Sequence, residues 1–546
     1  MEKFNFTINY SIDGRRYSSK DFENEHYSID TESFTDHIKL TLNTKAGPIS
    51  EIDFKVSCPY DFRDKDRVFL NGYQSWTDCR EYFINEAPPQ MTKARLFPLL
   101  ISPLGKSGDV NFIKYDNENG HFHGFSYGYI RNEDVVDLFA SLSERDGYTI
   151  IRTYCPEKRI EFTRDLEGVS VNNKYTLLDL INFKGSMDEV FDKYFAAMKI
   201  ATPRVSKANG YTTWYNYYSQ INEKIVLTDL ESLSKIDAKI DVFQIDDGFQ
   251  TAVGDWLSID PVKFPNGMKF IADKIHEKGM KAGIWLAPLA AQLNSKLAKE
   301  HHDWLIRNNK GRKVNCGFNW NGFYALDISK PEVREYIHNF FDVILNEWGY
   351  DMVKLDFLYA AAVVPQYNKS RGQLMCEAMD FIRECVGDKI ILGCGVPLAP
   401  AFGKVDYCRI GSDMGLQWKP KHEIQREGVS TKNTICNSVF RRGLDKRAFL
   451  NDPDVFLLRD DNMDMTLEQR KILASVNHIF GSLLFTSDNV GDYTQEKKDL
   501  LLHIFNDPRP EIVSAEFSEE NILRIEYCED GSKQTMCIDM LNGKLV

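Results

Sequence analysis

The sequence lacks the features of a secreted or membrane-spanning protein. Its 546 residues contain no uncharged apolar run of about 18, which a membrane-spanning helix requires. The first residues, MEKFNFTINYSIDGRRY, contain no apolar core of a signal peptide. Eleven cysteines form no C-x-x-C pair, which argues against a disulfide framework and against a zinc site. We therefore expect a cytoplasmic protein with mostly reduced thiols.

Basic residues are also scarce. The chain has 67 Lys and Arg against 80 Asp and Glu, and its net charge is -13. Because nucleic-acid binding depends on clustered basic residues, this balance argues against a nucleic-acid partner and favours a neutral or cationic ligand. Hydrophobic residues make up 43% and charged residues 27%, as in ordinary globular proteins, and the length predicts several domains.

Hydrophobic periodicity divides the chain into segments. An alternation of apolar and polar residues, typical of strands, changes to helical spacing after a capping-box pair at Ser186 and Glu189. Near the carboxyl terminus, Asp530 and Gly531 indicate a hairpin turn between two strands. We expect an N-terminal β-sandwich domain at 1–183, a connecting helix and linker at 184–209, a (β/α)8 TIM barrel at 210–492 and a small antiparallel β domain at 493–546.

The barrel prediction depends on eight short apolar segments that alternate with helix-length segments. A (β/α)8 barrel typically takes ~250 residues, close to the length available here. A doubly wound sheet is less favoured because no G-x-G-x-x-G follows the first strand. The predicted strands are 210–218, 241–248, 281–288, 351–357, 389–395, 405–413, 449–458 and 482–491.

Polar side chains cluster where these strands end, which is the face on which such a barrel binds its ligand. Many carboxylates, few histidines and no H-E-x-x-H motif indicate acid/base or nucleophilic carboxylate chemistry, so we expect neither a metal nor a cofactor. The candidates are Asp246, Asp247, Trp285, Lys354, Asp356, Cys394, Arg409, Asp413, Asp452 and Asp454.

Lys354 and Asp356 interrupt an apolar strand two positions apart, so their side chains are expected on one face. A nearby ammonium lowers the pKa of a carboxyl group, which would suit Asp356 to be a nucleophile. The alternatives are a structural ion pair or a helix cap. Asp246 and Asp247 either break the strand toward a ligand or are solvated loop residues.

Aromatic residues near these strand ends could stack on the C–H face of a sugar. Each is also, on its own, a common kind of core residue. They include Trp76, Trp214, Trp256 and Trp285, together with Tyr215, Tyr217 and Tyr218.

An ordered set of motifs resembles the melibiase-type α-galactosidases of glycoside hydrolase family 36, in particular the compact bacterial and archaeal type. The resemblance covers most of the chain. Its motifs are NGYQSW (71–76), FQIDDGFQ (243–250), GDWLSID (254–260), GIWLAP (283–288), NWNGFYALDIS (319–329), VKLDFLYAAA (353–362), LGCGVPLAPAFGKVDYCRIGSD (392–413) and LNDPD (450–454).

The resemblance implies a retaining exo-α-galactosidase with an N-terminal β-supersandwich, acting on a small carbohydrate such as melibiose or raffinose, without nucleic-acid or membrane partners. It implies that Asp356 is the nucleophile and Asp413 the acid/base. By motif position, the remaining substrate-binding residues are Asp246 and Asp247 at hydroxyls 4 and 6, Lys354 at hydroxyls of the sugar and at Asp356, Arg409 beside Asp413, Trp285 and Trp76 around the pocket, and Cys394 and Gly395 near hydroxyl 2. Trp214 is a further substrate-binding candidate because of its aromatic face.

The sequence departs from the larger members of the family at two segments. It reads NGFYALDIS where they carry an arginine before LDLS, and RIGSDMG where they carry W-x-S-D-N-T-D. The alternatives that stay open are an α-N-acetylgalactosaminidase, a galactosyl-transferring enzyme, a non-catalytic sugar-binding protein and a metal-dependent barrel enzyme that uses Asp246, Asp247 and Asp452. The oligomeric state stays open too.

Overall fold

Two antiparallel sheets form the amino-terminal part of the structure, a computed structural model that describes residues 4–88, 105–420 and 426–546. In sheet order, the first contains Arg15–Ser19, Asn5–Ile12, Ser50–Pro59, Arg159–Arg164, Thr149–Tyr154 and His121–Phe125. The second contains Tyr27–Phe34, His37–Thr44, Lys174–Gly185, Val135–Ser141, Tyr127–Asn132, Arg67–Leu70 and Tyr82–Phe83. The predicted β-sandwich is confirmed.

The alternating pattern of the strands explains why the two sheets pack together. Ile8 and Phe54 from the first sheet and Leu40 and Leu180 from the second are fully buried in one apolar cluster. The chain then enters the helix Met187–Met198 through the predicted capping box, in which Ser186 and Glu189 bond each other's backbone N–H groups.

Eight parallel strand positions follow and close into a barrel, as predicted. We number them barrel strands 1 to 8 in chain order. Barrel strand 8 pairs with barrel strand 1, so the ring has no free edge between them. The strands are Ala208–Thr212, Val242–Ile245, Lys281–Leu286, Met352–Leu355, Ile390–Gly393, Tyr407–Arg409, Leu450–Asp452 with Val455–Phe456, and Leu483–Thr486.

Barrel strand 7 is two short strands rather than the single predicted one. Leu450–Asp452 pairs with barrel strand 6, whereas Val455–Phe456 pairs with barrel strand 8. Pro453 cannot donate a backbone hydrogen bond, and Asp454 adopts φ +76°, so the strand breaks between them. Through its two parts, barrel strand 7 pairs with barrel strand 6 on one side and barrel strand 8 on the other, which closes the ring.

Barrel strand 1 ends at Thr212, earlier than predicted. The aromatic residues after it form a short helix, Trp214–Tyr217, and do not extend the strand. The larger helices of the barrel are Glu223–Leu233, Gly267–Glu277, Pro331–Asp342, Arg371–Val386, Thr431–Phe440, Leu467–Phe480 and Gln495–Asn506, and shorter ones are Lys296–Glu300 and Leu398–Ala401.

Two excursions reach over the carboxyl ends of the barrel strands. A small antiparallel sheet, Ala290–Gln292, Asn315–Gly317 and Phe323–Ala325, lies between barrel strands 3 and 4. The loop 71–76 enters from the sandwich, and the buried guanidinium of Arg441 donates to the carbonyl oxygens of Gln74, Ser75 and Ile410. One buried cation therefore fixes this sandwich loop to the barrel.

The chain ends in a sheet of Glu511–Glu519, Ile522–Glu529, Ser532–Asp539 and Lys544–Leu545. Glu529 pairs with Ser532, which confirms the two-residue turn at Asp530 and Gly531. The numerical domain boundaries stay a prediction. In the described ranges, no helix combines the length and apolarity needed to span a bilayer.

Candidate active site

A cavity of about 230 Å³ lies at the carboxyl ends of the barrel strands. Barrel strand 2 ends directly before Asp246, and barrel strand 4 directly before Asp356. Cys394, Gly395 and Arg409 do not line the wall. The predicted residues that line it are Trp76, Trp214, Asp246, Asp247, Trp285, Lys354, Asp356 and Asp413. Residues from six separate strand ends or loops thus meet at one cavity.

Lys354 forms its ion pair with Asp246, and not with Asp356 as the sequence suggested. Its Nζ lies 2.9 Å from Asp246 Oδ2, and both side chains are buried. Burial opposes the charge on Lys354, but nearby negative charges, chiefly that of Asp246 and also that of Asp356, together raise the pKa of the ammonium. Lys354 and Asp356 both line the cavity, but the carboxylate within ion-pair distance of the Lys354 ammonium is that of Asp246.

Asp246 is held by further donors. Gln244 Nε2 lies 2.7 Å from Asp246 Oδ2, and Thr212 Oγ1 lies 3.3 Å from the same oxygen. The backbone N–H of Asp247 donates to Asp246 Oδ1 at 2.9 Å. These donors and Lys354 therefore hold the Asp246 carboxylate in one orientation at the cavity.

Asp247 accepts two hydrogen bonds from side chains on loops. Gln250 Nε2 donates at 2.6 Å to Oδ1, and the indole of Trp320 donates at 2.8 Å to Oδ2. Burial raises the pKa of Asp247 in spite of these two donors. A ligand hydroxyl at this position could donate to Asp247, either in place of the Trp320 indole N–H or in addition to it.

Asp356 has both carboxylate oxygens hydrogen-bonded. The backbone N–H of Phe357, which adopts φ +53°, donates to Oδ1 at 2.9 Å, and Trp285 Nε1 donates to Oδ2 at 3.1 Å. Burial raises the pKa of Asp356, although the positive charge of Lys354 opposes this, and the negative charge of Asp413 raises it further. The predicted lowering of this pKa is therefore wrong, since desolvation dominates.

Asp413 is the most accessible of the four aspartates, with about a third of its side chain (36%) exposed. Arg409 Nη1 donates to Asp413 Oδ1 at 2.8 Å. The same guanidinium contacts Asp452 at 3.1 Å and Asp454 at 2.7 Å. Arg409 is thus shared by three carboxylates behind the wall of the cavity.

Asp454 is the buried member of this group. It accepts hydrogen bonds from the hydroxyl of Tyr215 and, at 2.7 Å, from the backbone N–H of Met414. Burial raises the pKa of Asp454 to about 7, although the charge of Arg409 opposes the shift. Because Asp452 is engaged with Arg409, it does not join Asp246 and Asp247 in a set of metal ligands, as the metal-dependent alternative required.

Trp76 connects the sandwich loop to the residues behind the wall. Its indole N–H donates to Cys394 Sγ at 3.3 Å. Gly395 adopts φ +54°, and a Cβ there would meet Trp76 at 2.8 Å. These contacts require glycine at 395 and hold the Trp76 ring at the rim.

The sequence reasoning missed several lining residues, of which Trp320 and Glu427 have polar partners that fix their side chains. Trp320 lies in the motif NWNGFYALDIS, to which the sequence assigned no function. Its indole N–H reaches Asp247 because the small sheet after barrel strand 3 places it at the cavity. Glu427 also lines the cavity and accepts from Thr77 at 2.9 Å. Burial, together with the charge of Asp109, raises the pKa of Glu427 to about 7. No motif signal marks Glu427.

Replacing Lys354 by methionine is expected to destabilise the protein by ~3–5 kcal/mol, because Asp246 would remain as an unpaired buried anion. The free energy of unfolding from urea titration measures this. The matched control is Lys269→Met, which removes the exposed partner of Asp273 and should cost at most ~1 kcal/mol. Adding Asp246→Asn to Lys354→Met should recover part of the loss; equal losses in both lysine variants would contradict the assignment.

Comparisons with known proteins find one family model and several similar chains. Residues 209–376 match the family model described as Melibiase. An α-galactosidase of Lactobacillus acidophilus, Mel36A, is 33% identical over 150 residues, which cover 26% of this chain and 20% of that protein. The sequence matches therefore span about a fifth of that curated relative.

Solved structures match over much more of the chain. An α-galactosidase from Thermus thermophilus, in complex with p-nitrophenyl α-D-galactopyranoside, superposes with a TM-score of 0.72 and 25% identity, and the match covers 92% of this chain and 95% of that one. The family 36 α-galactosidase AgaA from Geobacillus stearothermophilus shares the fold, with a TM-score of 0.60, 13% identity and coverage of 98% and 80%. Residues 209–376 thus match the Melibiase family model, and the fold over most of the chain is similar to the folds of these two solved α-galactosidases.

Proposed function

We propose that this protein is a retaining exo-α-galactosidase that removes terminal α-linked galactose from oligosaccharides such as melibiose or raffinose. The observation that carries the proposal is that Asp356 and Asp413, from different barrel strands, line one cavity of about 230 Å³. Their charges are close enough for Asp413 to raise the pKa of Asp356. Two carboxyl groups that flank one sugar are what glycoside hydrolysis by double displacement needs.

The small volume of the cavity supports an exo mode of action. A volume of about 230 Å³ lies below the ~300–1,000 Å³ of pockets for drug-sized ligands, so it suits one sugar ring. The Lys354–Asp246 pair lines the cavity and offers a cation and an anion to ring hydroxyls. Asp247 adds acceptors to one side, while Trp285 and Trp320 give apolar faces for the C–H surface.

The different surroundings of Asp356 and Asp413 suit these two residues to different roles in the reaction. Asp356 attacks the anomeric carbon as an anion, and the hydrogen bonds from Phe357 and Trp285 favour this anion and aim its oxygens. Asp413 donates a proton to the leaving oxygen, and the C–O bond to the aglycone breaks. Water then attacks the glycosyl ester while Asp413 accepts its proton, and Asp356 is released with net retention.

Arg409 holds Asp413 and two further carboxylates. Its guanidinium pairs with Asp413 and also contacts Asp452 and Asp454, which compete for the same charge. We propose that Arg409 orients Asp413 and that its charge is largely balanced by the other two carboxylates.

The test is proton NMR of the first sugar product from p-nitrophenyl α-galactoside. We expect α-galactose before mutarotation, because two inversions at the anomeric carbon give retention. First-formed β-galactose would overturn the double displacement, and absence of any released sugar would favour a non-catalytic sugar-binding protein. Parallel reactions with the aryl α-N-acetylgalactosaminide, and with added melibiose as acceptor, distinguish the two related activities.

A further inference from the structure

Two histidines and a glutamate meet at the other end of the barrel from the cavity. His478 lies in the last turn of the helix Leu467–Phe480, His503 in the last turn of Gln495–Asn506, and Glu529 ends the strand Ile522–Glu529. Barrel helices run back from the ligand-binding face, so their last turns lie at the opposite face. One ligand atom from each residue lies within 4.8 Å of the others.

His478 presents a buried nitrogen that has no hydrogen-bond partner. The residue is 2% exposed, and its Nδ1 lies 3.1 Å from the carbonyl oxygen of Ile504. A carbonyl can only accept, so Nδ1 carries the proton and Nε2 carries the lone pair. Among the described residues, no group bonds this Nε2, which leaves an uncompensated buried acceptor.

An imidazole that holds its proton on Nδ1 and presents the lone pair of Nε2 is the form that coordinates metal ions.

His503 is also held through one ring nitrogen, with the other facing Glu529. Its Nδ1 lies 2.6 Å from Asp507 Oδ2, and its Nε2 lies 3.7 Å from Glu529 Oε1. His478 Nε2 lies 3.7 Å from the same Glu529 oxygen. Metal-binding histidines commonly donate their other ring N–H to a carboxylate or a backbone carbonyl, and here one histidine has each kind of partner.

We propose that His478, His503 and Glu529 bind a divalent transition-metal ion, best matched by Zn²⁺, that joins two barrel helices to the carboxyl-terminal sheet. Two imidazoles and one carboxylate form a known zinc ligand set, with a water as fourth ligand. Bonds of ~2.0–2.1 Å in a tetrahedron place the ligand atoms roughly 3.3 Å apart. The two 3.7 Å distances would each close by a few tenths of an ångström.

This site is separate from the chemistry at the cavity. Removing the metal is expected to weaken the attachment of the terminal sheet and to leave the cavity carboxylates in place. The metal should therefore raise the unfolding temperature in a concentration-dependent way, because it binds the folded state. Turnover at a temperature well below unfolding should change less than about twofold on chelation.

The experiment titrates the metal-free full-length protein with Zn²⁺ by calorimetry and with Co²⁺ by visible absorption. We expect one equivalent, with the strong d–d bands of a four-coordinate site. His503→Ala and Glu529→Gln, both at partly exposed positions, should each weaken binding at least about 100-fold, and Asp507→Asn should weaken it about 10–100-fold. His276→Ala, which removes another helix histidine paired with an aspartate, is the matched control and should bind as wild type does.

Two results would overturn the assignment of the metal site itself, and a third would exclude its joining role. One is binding of Zn²⁺ that is no tighter than millimolar or that is the same in all variants. The other is a cobalt–thiolate charge-transfer band, which would assign the metal to cysteines such as Cys528, whose side chain points to the opposite face of the strand from Glu529. Unchanged unfolding temperature of the wild-type protein with saturating Zn²⁺ would exclude the joining role.

Discussion

Replacing Asp356 by asparagine is expected to lower kcat for p-nitrophenyl α-galactoside at least about 10³-fold, because an amide cannot form the glycosyl ester. The amide has nearly the same shape, and its oxygen can still accept from the N–H of Phe357 or of Trp285. The fold and galactose binding should therefore survive. Steady-state kinetics measure the loss, and calorimetry with galactose measures the binding.

The control for this variant is Asp273→Asn, an aspartate on a helix surface that pairs with Lys269. It should retain wild-type turnover. If Asp356→Asn kept activity within about tenfold of wild type, Asp356 would not be the nucleophile. Losing galactose affinity and folding together would instead assign Asp356 a structural role.

Replacing Asp413 by alanine is expected to separate substrates by their leaving groups. Raffinose needs protonation of its leaving oxygen and should lose about 10²–10⁴-fold in kcat/KM. An aryl galactoside with an acidic phenol leaves without that help, so its kcat/KM should fall much less. A plot of kcat/KM against the pKa of the leaving phenol should become steeper in the variant.

Added azide provides a second readout for Asp413→Ala. Azide needs no general base, so it should restore turnover of the aryl substrate by attacking the glycosyl ester. Asp464→Ala, at an exposed aspartate, is the matched control and should show neither effect. Equal losses on raffinose and on the aryl substrate, with no effect of azide, would remove Asp413 from the acid/base role.

The barrel was predictable because its evidence is local. Each strand is a short apolar segment, and each predicted segment contains observed strand residues. At two places the observed strands differ from the predicted ones, and in both the cause is a local backbone conformation that the hydrophobic pattern does not indicate. Pro453 and Asp454 split barrel strand 7, and the aromatic run after Thr212 turns into a helix.

Part of the membership of the candidate site was also predictable, because strands of a barrel share one carboxyl-terminal face, although Cys394, Gly395 and Arg409 do not line the cavity. The partners within the site were not. Lys354 forms its ion pair with Asp246 rather than with Asp356, and the guanidinium of Arg409 contacts three carboxylates. Which charges pair depends on where each strand ends and how the following backbone turns. Glu427 lines the cavity from a loop that contains no recognised motif, so the sequence did not indicate it.

The sequence by itself determined the order of the sandwich, barrel and terminal sheet, and the positions of Asp356 and Asp413 at strand ends. Periodicity and short motifs are properties of neighbouring residues, so they can be read along the chain. Only the tertiary structure decided the pKa environment of Asp356, the sharing of Arg409 and the meeting of His478, His503 and Glu529. Burial and long-range charge pairing arise when distant segments pack together, and no spacing along the chain encodes them.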